Sequence, residues 1–162
     1  MKKIIISLSV VISLNIFAND EVYKWAENYQ SNLTEKTLYG EVFRNNITKD
    51  GRLACARVVQ IILKQSGFKS FQEDTYLVST IQKRTKNWKK LSIDQVQKGD
   101  LIFWRRILTN SVCDGGGDCH VGISVGDGYS LDNKGAKKRP TISKIKRFGW
   151  KFLYAKRTPE LL

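Results

Sequence analysis

Histidine is nearly missing from this chain: His120 is the only one in 162 residues, so any imidazole chemistry has to use it. That scarcity argues against a zinc centre, which takes about four ligands, or three and a water. A lone histidine beside the Cys113/Cys119 pair does not make such a set. Cysteine is scarce too, and its count is odd: Cys55, Cys113 and Cys119. None lies near residue 18, which excludes a lipid-modified cysteine there. Acidic residues are few, 15 against 28 lysines and arginines, for a formal net charge of +13. A long apolar run is missing as well. IIISLSVVISLNIF, near the start, is 14 residues and is interrupted by Ser7, Ser9, Ser13 and Asn15. A membrane span needs roughly 20 apolar residues. There are no internal repeats and no low-complexity tracts.

What the first residues do have is the layout of an export signal: the basic start MKK, the apolar run, and the small residue Ala18 before a polar segment. The expectation is cleavage after Ala18, with 1–18 a signal peptide and 19–162 a single domain, exported to the periplasm or beyond, with no stable membrane anchor. Cleavage removes Lys2 and Lys3 and no acid, which leaves +11 of the +13. An excess of that size favours anionic partners. The basic residues cluster at Lys83–Lys90, Lys134–Arg139 and Lys144–Arg147 and are not interleaved with a nucleic-acid motif. Anionic polymers of the cell envelope are therefore the expected partners, not nucleic acid. General solubility is the plainer reading of the same charge.

The organisation changes along the chain. VYKWAENYQSNL, from Val22, has helical spacing of apolar residues. Residues 38–52 are polar and carry Gly40, Asn45, Asn46, Asp50 and Gly51, so they read as loop. LACARVVQIILKQSG then runs as an apolar helix to Gly67, and EDTYLVSTIQKR (Glu73–Arg84) fits a further helix. The second half is strand-like: DLIFWRR (Asp100–Arg106), CHVGISV (Cys119–Val125), YSLDN after the turn signal GDG, and WKFLYAKR (Trp150–Arg157). Helices first and sequentially connected strands later indicate an α+β domain with an antiparallel sheet.

Three residues carry chemical promise. Cys55 sits near the start of the apolar helix, where the helix dipole lowers a thiol pKa and first-turn N–H groups can hold an oxyanion. A buried structural cysteine fits the same position equally well. His120 on a strand shares a face with Gly122 and Ser124, while Cys119, Val121, Ile123 and Val125 take the opposite, apolar face. Cys119 is thus badly placed as a partner of its neighbour His120. In an oxidising compartment the simplest use of Cys113 and Cys119, bracketing DGGGD, is a local disulfide. A ring that small is worth about 2 kcal/mol in the chain-entropy picture. The pairing leaves Cys55 as the odd thiol. A hairpin centred on Asp127 sets Asp132 opposite Gly122, diagonal to His120 and within reach of its ring. A solvated carboxylate near the turn is the competing reading of Asp132, and Asn133 is the alternate orienting group.

The pattern of a cysteine opening a helix, then KGDLIFW, then HVGISVGDGYSLD resembles the NlpC/P60 peptidases, within the papain-like superfamily that also holds CHAP-type and secreted peptidoglycan amidases. The resemblance covers about Tyr39 to Asn133. It implies a papain-like α+β fold, with N-terminal helices packed on a central antiparallel sheet. It also implies Cys55 as nucleophile, His120 as base and Asp132 as third catalytic residue, with no cofactor and no metal. The implied substrate is a peptidoglycan stem peptide or another cell-wall amide, cleaved by acyl transfer, with the protein acting as a monomer. Where the family shows Asp-Cys-Ser, this chain has Ala54-Cys55-Ala56, which moves it toward the amidase relatives. Two alternatives share the fold: a non-catalytic basic envelope-binding protein, and an antibacterial amidase toxin.

Overall fold

The computed structural model describes residues 20–27, 47–48, 53–108, 118–134 and 139–159. The expected signal peptide, most of the 38–52 loop, the end of the first expected helix and the Cys113 loop lie outside the described residues. Helix α1 covers 20–27, α2 covers Cys55–Gln65 and α3 covers Val78–Arg84. The strands are β1 (Lys90–Leu91), β2 (Leu101–Arg106), β3 (Cys119–Gly126), β4 (Tyr129–Lys134), β5 (Arg139–Lys144) and β6 (Trp150–Lys156). They form one antiparallel sheet in the order β1-β6-β2-β3-β4-β5. This is the expected α+β architecture of helices on an antiparallel sheet.

Period-two alternation divides the sheet between two apolar clusters. Leu101, Phe103, Cys119, Val121, Ile123 and Leu131 pack toward the helices, against Val22 and Ala26 of α1 and Val58, Val59, Ile62 and Leu63 of α2. Leu91, Ile102, Trp104, Ile145 and Ala155 form a second, smaller cluster on the other face. Helix α2 ends where the sequence indicates, with Gly67 at φ +91° just after the cap residue Ser66. A bulge between Phe103 and Trp104 in the β2–β6 ladder lets Phe103 pair with Tyr154 and Trp104 with Phe152, so each aromatic keeps its own face.

Two expectations need correction. The helix expected over Glu73–Arg84 begins only at Val78. Leu77 is extended (φ −111°, ψ 132°), and the residues before it are tied elsewhere, Asp74 to Arg57 and Glu73 to Arg84. Strand β5 is not among the strands the sequence predicts, yet Lys134 ends β4 and Arg139 begins β5. Pro140 disguises β5 in the sequence. As an edge strand, β5 tolerates a residue with no N–H to donate.

Candidate active site

The hairpin is the rigid part of the site. Gly126, Asp127 and Gly128 all have positive φ (92°, 52° and 76°), the conformation a tight β3–β4 turn demands. The register then runs Ser124 with Ser130, Ile123 with Leu131 and Gly122 with Asp132, as the count about Asp127 predicts. A Cβ on Gly122 would lie 2.7 Å from the Leu131 carbonyl oxygen and 2.8 Å from Asp132 Cβ. Glycine there lets the Asp132 backbone come close enough for its carboxylate to reach the His120 ring, two residues from Gly122 along β3. Asn133 leaves β4 from the opposite face.

His120 Nε2 and Asp132 Oδ1 are 2.8 Å apart, with Asp132 fully buried and His120 nearly so. Since Nε2–H donates to the carboxylate, Nδ1 is the nitrogen left for the thiol, and the imidazole does hydrogen-bond Cys55. Cys55 is the first residue of α2, half-buried and a free thiol. The α2 N-terminus has no side-chain cap and no acid in its first turn, so no negative group of that turn competes with a thiolate for its positive end. Backbone groups of Ala56 and Val121 also hydrogen-bond Cys55. Val121 lies just beyond Gly122, where the β3–β4 pairing ends, and this is where the helix start meets the sheet.

The charges reinforce one another. Burial pushes the Cys55 thiol up, but the His120 charge and hydrogen bond outweigh it and hold the pKa below the ordinary thiol value. Burial pushes His120 down, and Cys55 and Asp132 together overcome it and raise the imidazole to about 9. Asp132 is likewise raised by burial and brought below the usual carboxylate range by His120, then Arg147. At neutral pH this favours thiolate beside imidazolium beside carboxylate, a charge pattern suited to nucleophilic attack and proton donation.

Sequence reasoning missed the groups behind Asp132. Its Oδ2 accepts from Arg147 Nη1 at 2.7 Å, Ser143 Oγ at 3.1 Å and Ser130 Oγ at 3.2 Å. Two indoles pack against the imidazole: the His120 ring centroid is 5.6 Å from Trp104 and 5.0 Å from Trp150. In the sequence Arg147 belongs to the basic cluster Lys144–Arg147, whose expected partner is an anionic polymer. Its side chain is only 14% exposed and is paired inward, so it is not available to such a surface. No local spacing in the sequence marks it, because strand β5 is what carries the chain back to Asp132.

An α+β domain in which a thiol at a helix start, a strand imidazole and a buried carboxylate meet in one row has the arrangement of the papain-like cysteine hydrolases. The chain belongs to the NlpC/P60 family, whose model matches residues 22–157. That family is generally one of cysteine peptidases and amidases acting on peptidoglycan. A search of curated proteins finds no match.

Proposed function

We propose that this protein is an exported cysteine hydrolase that cleaves an amide bond of peptidoglycan, with Cys55 as nucleophile, His120 as acid–base and Asp132 as the residue that orients the imidazole. The observation that carries the reading is the row Cys55–His120–Asp132, with His120 Nε2 held 2.8 Å from Asp132 Oδ1. The Cys55 thiolate attacks the substrate carbonyl carbon and forms a C–S bond. The carbonyl oxygen takes the negative charge, which first-turn N–H groups of α2 stabilise. Collapse breaks the C–N bond as His120 gives its Nδ1 proton to the leaving amine. Water then attacks the thioester, yields its proton to His120, and releases the carboxylate and the thiolate. Export is supported by the signal-like layout of residues 1–18, and the +11 that cleavage would leave of the net charge of +13 suits an anionic wall.

The test is Cys55→Ala. Purified peptidoglycan incubated with wild-type protein should release amide-cleavage products visible by mass spectrometry. A folded Cys55→Ala variant should lose that release by on the order of 10⁴-fold or more. Equal release by both proteins overturns the mechanism. Salt-sensitive wall binding without any cleavage would instead favour the non-catalytic envelope-binding protein.

A Cys113–Cys119 disulfide belongs to the same proposal. Cys119 is buried and engaged rather than free, and Cys55 is the free thiol. Non-reducing peptide mapping should recover the two joined, and a Cys55 bridge would contradict both claims.

A further inference from the structure

The turn after β5 is built to deliver one guanidinium. Ile145 N–H donates to the Gly128 carbonyl at 2.8 Å, which ties the turn to the β3–β4 hairpin. Trp104 Nε1–H donates to the Ile145 carbonyl at 2.9 Å, which ties it to β2. The two ties fix where residue 147 emerges. Its guanidinium lies 4.5 Å from the Trp104 ring centroid and 5.8 Å from that of Trp150, the same two indoles that pack against His120. Nη1 then donates to Asp132 Oδ2 and to Ser143 Oγ, both at 2.7 Å.

We propose that Arg147 is a positioning residue: by gripping Oδ2 of Asp132 it fixes the carboxylate plane, and so fixes the His120 ring through Oδ1. The inference rests on the reading of Cys55, His120 and Asp132 as the reacting row. A carboxylate torsion is soft and roughly two-fold, and of the three donors on Oδ2 the two serine hydroxyls are rotatable and longer, at 3.1 and 3.2 Å, so the 2.7 Å contact from Arg147 is the firmest restraint on its plane. Arginine supplies a planar donor and a permanent charge. The charge has a second effect. Among the described residues, the ionic groups in contact with the row are Cys55 from α2, His120 from β3, Asp132 from β4 and Arg147 from the turn. Arg106 stands behind Trp150, 5.9 Å from its ring centroid. Of the other described neighbours, Ser130, Ser143, Trp104 and Trp150 carry no charge. Arg147 therefore offsets part of the Asp132 charge that holds the proton on His120.

A second buried pair gives the contrast. Arg157 donates to Asp100 through Nε at 3.2 Å and Nη2 at 3.1 Å, and Asp100 also accepts from the Gln97 backbone N–H. That pair joins chain segments and touches no histidine. A structural role for Arg147 would make the two pairs behave alike.

His120 is the only histidine, so histidine-labelled protein gives a single imidazole in NMR. In Arg147→Met the His120 titration should move upward from about 9, and kcat should fall by on the order of 10²-fold with KM little changed. Arg147→Lys should bring the titration back and restore part of kcat. Arg157→Met should lower thermal stability without moving the titration. If Arg147→Met does not fold, Arg147→Gln, which keeps a donor and drops the charge, should show the same upward shift. A titration unmoved in the folded Met or Gln variant, or moved equally in Arg157→Met, overturns the proposal. The titration needs no substrate. Wild-type protein that leaves peptidoglycan intact sinks the hydrolase reading alone, whereas an unmoved titration in a hydrolysing enzyme sinks the role of Arg147 alone.

Discussion

The two faces of the β3–β4 hairpin come from the same fourteen or so residues of sequence but do opposite work. Toward the helices, Val121, Ile123 and Leu131 are fully or almost fully buried among apolar neighbours. On the other face, Ser130 and Asp132 are equally buried and His120 nearly so, yet every one of them is polar and hydrogen-bonded. The apolar face sets the register, since a slip of one residue would send all its side chains into the wrong environment. The polar face inherits that register and turns it into a thiol–imidazole–carboxylate row. Stability and chemistry are thus assigned to alternate residues of one element.

The largest test of this division is Asp132→Asn. It keeps the shape and removes the charge that His120 and Arg147 share. Loss of the orienting carboxylate should lower kcat by on the order of 10⁴-fold, as in Ser-His-Asp sites. Thermal stability should fall too, because Arg147 would be left buried without its counter-charge. A variant with near-normal kcat would make Asp132 a structural residue and erase the contrast between the faces. A smaller change probes the other side. Ile123→Val removes one methyl from the apolar face and should cost about 0.5–1.5 kcal/mol in urea unfolding. The same variant should leave the pH dependence of hydrolysis where it was. A moved pH profile would mean that the core face tunes the site and not only its register.

Much of this arrangement was legible before any coordinates. The alternation in CHVGISV separated Cys119 from His120, and GDG located the turn, so simple pairing arithmetic brought Asp132 to Gly122. The apolar run up to Gly67 located α2 and put Cys55 at its start. Those features are local, or depend on a two-residue turn whose geometry is known. What stayed hidden depends on distant pairing. Strand β5 carries Pro140 and begins in a basic stretch, so it lacks the alternating apolar signal that marks β3. Without β5 there is no reason to bring Ser143 or Arg147 to Asp132, and a buried ion pair then reads as a surface charge. Trp104 and Trp150 are legible as strand residues, but their place beside His120 depends on the β2–β3 and β2–β6 registers.

The row makes a pH claim whose signs differ at its two ends. Cys55 is held below the ordinary thiol value, so the thiolate forms early as pH rises. His120 is raised to about 9, so the proton needed by the leaving amine is lost only above that. Hydrolysis should follow a bell with its alkaline limb near 9. The direct measurement is the rate of Cys55 alkylation by iodoacetamide against pH, in wild-type protein and in His120→Ala. Wild-type protein should alkylate rapidly at neutral pH, with a midpoint below the ordinary thiol value of about 8.5, and His120→Ala should lose that early reactivity. A wild-type midpoint at or above the ordinary value, unchanged in His120→Ala, would contradict a Cys55–His120 ion pair and with it the central claim.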